Sequence, residues 1–209
     1  MTNQLKTLAF YNSNANSFVE QTIGVDMHQL YHPFIATLPA RSPNQQHILD
    51  LGCGSGRDSI YFATLGFNVT AIDGSQALID LAQSKSAAKQ DTIEWYCATF
   101  EDIAQENWQH KFTAIWSCAS LLHVPYRELP ELIEKLLHML TEDGGLYASF
   151  KCGDSERIED GRFFNDMNEV RWAATKQKIA CDCKEETWLT LDQRADRNEV
   201  WFNIMIRKL

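Results

Sequence analysis

The sequence predicts an α/β fold in which helices cover both faces of a mostly parallel sheet. Short apolar runs typical of strands alternate with segments of helical spacing, a pattern that favours parallel strands joined by crossover helices. A glycine-rich segment follows the first run, and ligands of such sheets bind beyond the carboxyl ends of the strands. The predicted strands are His47–Leu51, Asn68–Asp73, Thr92–Cys97, Phe112–Ser117 and Gly145–Lys151.

Helices are predicted between these strands. The clearest is Arg127–Leu140, where leucine and isoleucine recur every three or four residues and form one apolar stripe. Asp58–Leu65 predicts the first helix, closed by the glycine that follows it. Ser75 is the predicted N-cap of a helix over residues 75–88, and Thr141–Gly145 is predicted to form a turn into the fifth strand.

The pattern changes in the last third of the chain. Asp166 and Glu169 have the spacing of a capping box and predict a helix that runs to about Lys178. Two β-rich runs follow, Asp182–Leu191 and Val200–Arg207. The polar segment between them predicts a terminal hairpin.

Composition narrows the possible partners. The formal net charge of −9 disfavours nucleic acid and favours a small-molecule substrate. No apolar stretch approaches the roughly twenty residues of a membrane span, and the N-terminus lacks a signal pattern, so we expect a cytoplasmic protein without membrane contact. The scattered cysteines predict no disulfide framework. Cys181 and Cys183 lack a second pair of ligands nearby, so no metal site is expected.

The segment from Asp50 to Asp73 predicts a nucleoside-binding βαβ unit. Gly52 and Gly54 allow the main chain to turn tightly after the first strand and to approach a ligand closely. Asp73, at the end of the second strand, is placed to accept hydrogen bonds from both hydroxyls of a ribose.

The spacing of the glycines distinguishes between two kinds of nucleoside. A dinucleotide fingerprint has a third glycine inside the helix, where this chain has Arg57. Asp50 would repel a pyrophosphate, whereas a carboxylate favours the amino group and sulfonium of S-adenosylmethionine. The charges therefore indicate a methyl donor as cofactor.

Two segments, Leu49–Asp58 and Ala71–Ser75, resemble the class I S-adenosylmethionine-dependent methyltransferases, and more narrowly the bacterial tellurite-resistance branch. The resemblance implies a Rossmann-like, seven-stranded, mostly parallel sheet. In it the last strand of the C-terminal hairpin lies antiparallel to the fifth strand. The implied division is a methyltransferase domain over residues 41–209, preceded by a helical lid over residues 1–40.

In many relatives a tyrosine-led helical segment lies over the cofactor. Tyr11 is therefore a candidate contact to the sulfonium through its ring face, with simple packing of the lid as the alternative. The residues expected to bind the cofactor, most of them just after a strand, are Tyr11, Asp50, Gly52, Cys53, Gly54, Arg57, Asp73, Gly74, Ser75, Thr99, Phe100, Glu101 and Ser117.

Two of these positions leave alternatives open. Thr99 stands where relatives carry an aspartate for the adenine amino group, so adenine recognition falls to Thr99, Phe100 or Glu101. Glu101 and Asp102 could instead only begin a helix. Arg57 indicates either the cofactor carboxylate or an acidic neighbour such as Asp58.

The acceptor side is less defined. His123 is a candidate general base, because an unperturbed imidazole titrates near neutral pH, with a structural role as the alternative. Residues 150–165 are predicted to be a mobile surface loop. In it Lys151, Arg162 and Phe163 are candidates for binding an anionic or polar small acceptor.

Three functions compete at this point. The first is a small-molecule methyltransferase. The second is a cofactor-binding protein without catalysis, and the third is a nicotinamide-dependent oxidoreductase, which the missing third glycine disfavours. The identity of the acceptor and the oligomeric state are not encoded in any recognisable pattern.

Overall fold

A computed structural model describes residues 2–86, 92–105, 108–194 and 197–208. Within them the main sheet has seven strands in the order β3-β2-β1-β4-β5-β9-β8. The first five strands are parallel, and β9 is antiparallel to both β5 and β8. This confirms the predicted fold class and the C-terminal hairpin. The strands of this sheet are β1 His47–Leu51, β2 Asn68–Asp73, β3 Ile93–Cys97, β4 Phe112–Ser117, β5 Leu140–Lys151, β8 Cys183–Leu191 and β9 Val200–Lys208.

Helices pack on both faces of this sheet. Ser75 caps α4 by accepting a hydrogen bond from the Leu78 amide, as predicted, while residues 87 and 88 of that predicted helix lie outside the described part. Gly66 follows α3 with a φ of +92°, which a glycine adopts without strain. The helices are α1 Asn3–Thr22, α2 His28–Ala36, α3 Arg57–Thr64, α4 Gln76–Lys85, α5 Phe100–Ile103, α6 Leu129–Met139 and α7 Glu169–Lys176, with 3-10 turns at Pro43–Gln45 and Leu121–His123.

The central strands are apolar because both of their faces are buried. Ile48 of β1 belongs to the cluster formed with α2 and α3, whereas its neighbour Leu49 belongs to the cluster formed with α6. Along the part of the chain that is described, no helix combines the length and apolar character needed to cross a bilayer.

Two boundary predictions are wrong. Thr141–Gly145 is not a turn: β5 already begins at Leu140, and the excess residues form an irregularity in its pairing with β4. The N-cap of α7 is Asn168, whose side chain accepts the Arg171 amide. Asp166 lies two residues before this cap, and its carboxylate accepts a hydrogen bond from Arg157 Nε at 2.7 Å.

The predicted surface loop over residues 150–165 is also wrong. It contains an antiparallel hairpin of β6, Glu156–Glu159, and β7, Arg162–Asn165. Asp160 and Gly161 both have positive φ values, 49° and 79°, and form the turn. Phe163, Phe164 and Asn165 are buried. Burial of two phenylalanines therefore orders a segment whose charges and glycines indicated a loop.

The two N-terminal helices have different environments. Helix α1 contacts α4 and β7, and Asn12 Oδ1 accepts a hydrogen bond from Ser75 Oγ at 2.8 Å. Helix α2 lies in the core, where Phe34 is fully buried with its ring centroid 4.9 Å from that of Trp116. The segment that covers the ends of the strands is thus α1, and the division at residue 40 stays a prediction.

Candidate functional site

A cavity of about 460 Å³ lies beyond the carboxyl ends of the central strands and beneath α1. The cavity has two parts. The strand-tip end is formed by Gly52, Gly54, Asp73, Gly74 and Thr99, which follow or end β1, β2 and β3. The hairpin end is formed by Lys151, Glu159, Arg162, Phe164, Asp192 and Arg194, from β5, the β6–β7 hairpin and the β8–β9 connection.

The turn after β1 requires glycine. Gly52 and Gly54 have φ values of +76° and +55°, a region that other residues rarely adopt. A Cβ at Gly52 would collide with Ser120 Cβ, and one at Gly54 would lie 3.0 Å from the ring of Phe18. The bare main chain here forms a cradle that a side chain would fill.

Asp73 is the acidic group of the strand-tip end. Its Oδ2 accepts the Gly54 amide at 3.0 Å and its Oδ1 accepts the Ser75 amide at 2.8 Å. Burial raises the pKa of this carboxyl, and the two amide hydrogen bonds partly offset that effect. Since a carboxylate has about four lone-pair sites, both oxygens can still accept from a diol.

Arg57 has the acidic neighbour that the sequence left as one alternative. Its Nε and Nη2 donate to the two oxygens of Asp58 at 2.6 and 2.9 Å. Asp58 also accepts from Tyr31 Oη and from Trp116 Nε1. Burial alone would raise the pKa of Asp58, but the Arg57 charge and these donors hold it below its ordinary value. The Arg57 side chain is only 18% exposed and lines the cavity.

Asp50 does not line the cavity, so the prediction of direct contact is wrong. The carboxyl is buried under β1, where it accepts a hydrogen bond from Ser59 Oγ at 2.5 Å. Burial, together with the nearby charge of Asp58, raises the pKa of Asp50 to about 8. Asp50 lies within β1 and not after its end, so its side chain points into the core and not toward the cavity.

Three further predicted contacts lie outside the lining. Ser75 caps α4, and Ser117 is buried with its hydroxyl 2.7 Å from that of Ser120, which lines the cavity in its place. Glu101 is exposed in the first turn of α5. These serines face inward because each satisfies a neighbouring polar group.

Thr99 is the N-cap of α5 in a full capping box. It accepts the Asp102 amide at 3.2 Å, and Asp102 Oδ2 accepts the Thr99 amide at 2.9 Å. The helix-start interpretation therefore holds for Asp102. Thr99 and Phe100 both line the cavity, as do the other predicted cofactor contacts, Tyr11, Cys53 and Gly74.

Tyr11 and His123 form a pair under α1. The Tyr11 hydroxyl lies 2.9 Å from His123 Nε2, and His123 Nδ1 lies 2.6 Å from the carbonyl oxygen of Phe163. Because a carbonyl can only accept, Nδ1 carries the imidazole proton and Nε2 accepts from Tyr11. Burial lowers the pKa of His123 to about 4, so the imidazole is neutral at physiological pH.

The basic residues of the hairpin end differ in their surroundings. Lys151 Nζ lies 3.3 and 3.6 Å from carboxylates of Glu159 and Glu199. The Arg162 guanidinium lies 4.5 Å from the Phe10 ring centroid and 5.2 Å from that of Phe164. Both cations line the cavity.

The third candidate for the acceptor, Phe163, does not line the cavity. Its side chain is buried, and its main chain accepts from His123 and donates to Thr7 Oγ1. Phe164 lies at the cavity instead, because alternate residues of a strand point to opposite faces.

Some residues that line the cavity were not predicted from the sequence. Phe18 lies seven residues after Tyr11, so the helical spacing could have revealed it. Asp192 and Arg194 come from the β8–β9 connection and carry no local signal. Across the described ranges, no group of three or more His, Cys, Asp or Glu side chains is placed to hold a metal ion.

Residues 48–144 match the family described as a methyltransferase domain. A protein of Geobacillus sp. (strain WCH70) named as a methyltransferase is 31% identical over 156 residues, which cover 72% of this chain and 62% of the relative. A similarly named Bacillus subtilis (strain 168) protein is 40% identical over 151 residues, covering 69% of this chain and 59% of the relative. The chain thus spans about three fifths of the length of these two relatives.

Solved structures show the same fold. Burkholderia thailandensis 1,6-didemethyltoxoflavin-N1-methyltransferase, solved with S-adenosylhomocysteine, has a TM-score of 0.73 at 17% identity, covering 98% of this chain and 86% of that one. Magnesium protoporphyrin IX methyltransferase from Synechocystis PCC 6803, solved with S-adenosylmethionine, has a TM-score of 0.68 at 16% identity, covering 100% and 98%. The match over residues 48–144 is thus to a methyltransferase domain, and the fold of this chain is the one that these solved methyltransferases share.

Proposed function

We propose that the protein transfers the methyl group of S-adenosylmethionine to a small-molecule acceptor. The observation that carries this proposal is the juxtaposition of Asp73 with the Gly52–Gly54 turn at the ends of two adjacent parallel strands. A buried carboxylate with open lone pairs and a main chain without side chains are the features that a ribose and an amino-acid tail require.

The residues of the strand-tip end fit this cofactor. Asp73 holds the ribose hydroxyls, and the main chain of the glycine turn receives the amino-acid tail. Thr99, Phe100 and Tyr11 line the cavity. In this proposal the first two contact the adenine, and the ring of Tyr11 contacts the sulfonium. Arg57 forms a bidentate pair with Asp58 and supports the cofactor site through that residue.

The cofactor supplies an electrophilic methyl group on a sulfonium, which is already a good leaving group. The protein therefore needs mainly to align the acceptor and exclude water. Helix α1 provides this cover, because Phe18 packs against Gly54 while Asn12 bonds to Ser75 across the strand-tip end. The hairpin end is left for the acceptor.

Calorimetry with the purified protein tests the proposal. We expect binding of both S-adenosylmethionine and S-adenosylhomocysteine and none of NAD, whereas an oxidoreductase would bind NAD only. Transfer of label from a methyl-labelled donor to a metabolite then separates an enzyme from a protein that only binds the cofactor. Absence of binding would contradict the proposal.

Two narrower expectations stay predictions. The formal charge of −9 supports a small molecule over nucleic acid as the acceptor. Membership of the tellurite-resistance branch, and with it a metalloid acceptor, rests on the resemblance of Leu49–Asp58 and Ala71–Ser75. The cytoplasmic location is likewise a prediction.

A further inference from the structure

This inference rests on the proposed function and concerns the chemical class of the acceptor. The cavity beside the hairpin end is also lined by the Tyr11–His123 pair and by Asp160, in addition to the carboxylates and cations that define that end. The kind of acceptor that binds here depends on two properties of these side chains. One is whether any of them can take up a proton, and the other is which of them still has free hydrogen-bond donors.

His123 is poorly suited to remove a proton. Nδ1 donates to the Phe163 carbonyl and Nε2 accepts the Tyr11 hydroxyl, so both nitrogens are engaged. Arg162 from β7 and Lys151 from β5 face the ring, and both charges disfavour an imidazolium, as does burial. Such an imidazole is too weak a base to remove the proton of a group with a pKa near 10, such as a phenol.

The carboxylates at this end are also committed. Glu159 lies beside Lys151 and Arg157, and hydrogen bonds from these cations hold its pKa below the ordinary value. Asp192 is bonded by Arg194 and its pKa is likewise lowered, although burial opposes this. Asp160 lies 3.6 Å from Arg162. Glu159 and Asp192 are thus stabilised in their charged forms by cations and are weak bases.

Arg162 differs from the other cations of the hairpin end. Its guanidinium lies against the rings of Phe10 and Phe164, and its Nε is buried without a hydrogen-bond partner. Arg162 also forms an ion pair with the exposed Asp160 at 3.6 Å, the same distance as that between Lys151 and Glu199 and longer than a hydrogen bond. A guanidinium has five donors in a planar fork that matches a carboxylate. One side-chain hydrogen bond of Arg162 goes to Tyr11, and the remaining donors are left for an anion, whereas Lys151 has hydrogen-bonding contact with Glu159 and a second carboxylate nearby.

We propose that the methyl acceptor is a small organic anion, a carboxylate or a comparably acidic hydroxyl, that pairs with Arg162, and that His123 is a positioning residue acting through Tyr11. An oxygen lone pair of the anion forms the new C–O bond as the S–C bond breaks. The electron pair of the broken bond stays on sulfur. The anion and the sulfonium both become neutral and no proton moves, so no base is required.

Fractionated acceptors test the charge of the substrate. A bacterial metabolite extract is separated by anion exchange, and each fraction is incubated with the protein and methyl-labelled S-adenosylmethionine. We expect label in the anionic fraction. Arg162→Gln should lower its incorporation on the order of tenfold or more, because a hydrogen bond to a charged group is lost. The variant should keep its affinity for S-adenosylhomocysteine, and Arg127→Gln, an exposed arginine, is the matched control.

The possible outcomes distinguish failure of the anionic-acceptor proposal from failure of the proposed function. Label confined to the neutral or cationic fractions would overturn the anionic acceptor, as would undiminished incorporation by Arg162→Gln. Failure to bind S-adenosylhomocysteine, or binding without label in any fraction, would instead contradict the proposed function.

The role of His123 is tested with two variants and a pH profile on the anionic fraction. His123→Gln keeps an acceptor for the Tyr11 hydroxyl but cannot titrate, whereas His123→Leu removes the acceptor. We expect Gln to retain on the order of tenfold more activity than Leu, with a wild-type rate that does not fall between pH 8 and pH 6. A fall with a pKa near 6.5, with Gln as inactive as Leu, would show a base and overturn the positioning role. Thermal unfolding of both variants checks that they fold.

Discussion

The charged side chains at the two ends of the cavity have different kinds of partners. At the strand-tip end, Asp73 accepts only backbone amides, which leave its negative charge in place. At the hairpin end, cations and carboxylates alternate at short distances, as Lys151 does with Glu159 and Glu199. The first end keeps a net charge for one defined ligand, whereas the second is close to balanced, so that specificity there depends on unused donors.

Asp73→Asn should have the largest effect on this contrast. The variant keeps the volume but loses the charge that strengthens hydrogen bonds to a diol. We expect the affinity for S-adenosylhomocysteine to fall on the order of 100-fold, about 3 kcal/mol for two charge-assisted bonds. Calorimetry measures it.

The matched control for that substitution is Asp80→Asn on the exposed side of α4, which should bind normally. Equal affinities of Asp73→Asn and wild type would remove the basis for treating the strand-tip end as the cofactor site. Thermal unfolding is measured alongside, since Asp73 also holds the Gly54 and Ser75 amides.

Asp50→Asn tests the cost of burying carboxylates beneath the strand-tip end. The pKa of Asp50 is raised from 3.8 to about 8, so the native state keeps the proton while the unfolded state loses it. Native stability contributed by this group is therefore lost as pH rises from about 4 to about 8. Asparagine cannot ionise, so the stability gained by the variant should grow over this window, by about 1 kcal/mol for each pH unit.

Urea unfolding at pH 5, 6.5 and 8 measures this difference. Asp80→Asn, which changes an exposed carboxylate, should show no comparable trend. A difference between Asp50→Asn and wild type that is the same at all three values would mean that Asp50 is ionised throughout.

Three glycine variants compare backbone strain at the two ends. Gly54→Ala and Gly161→Ala both place a side chain at positive φ, which costs about 1–2 kcal/mol of stability. A Cβ at Gly54 would also lie 3.0 Å from Phe18, whereas one at Gly161 meets nothing within 4 Å. We expect only Gly54→Ala to weaken binding of S-adenosylhomocysteine.

Gly24→Ala is the control for that series, because it has neither positive φ nor a close neighbour. It should leave both stability and binding near wild type. Loss of cofactor affinity in Gly161→Ala to the same extent as in Gly54→Ala would show that the two ends are not separable.

Lys151→Gln should have the smallest effect. The Lys151 charge is already shared by Glu159 and Glu199, so we expect less than about a fivefold rise in the apparent KM for an anionic fraction. Steady-state label incorporation compares it with Arg162→Gln. A larger effect for Lys151→Gln than for Arg162→Gln would reassign the anion contact to Lys151.

The accuracy of the sequence predictions follows the same division. The strand-tip end was predictable because its signals are local: Gly52, Gly54 and Asp73 each follow or end a short apolar strand. The prediction failed where a side chain at such a strand turned inward, as Asp50 and Ser117 do. Periodicity locates a strand end but does not say which polar groups must satisfy one another beneath it.

The structure of the hairpin end was largely not predictable from the sequence. Residues 156–165 have the composition of a loop, and their order depends on contacts that are distant in the sequence. Strand β7 lies against α1, about 150 residues earlier, and Phe164 packs in the core. His123 was recognised as a titratable residue. Its neutral state, however, results from burial between Tyr11 and the Phe163 carbonyl, which only the assembled fold brings together.

The sequence by itself therefore determined the sheet and its terminal hairpin and predicted the class of cofactor, because alternation, glycine spacing and strand ends are properties of contiguous segments. Only the tertiary structure decided which charges are neutralised. Lys151, Arg162 and His123 acquire their different roles from partners on α1, β6, β7 and the β8–β9 connection. Burial among such partners keeps His123 neutral, and the partners decide which hydrogen-bond donors Lys151 and Arg162 retain.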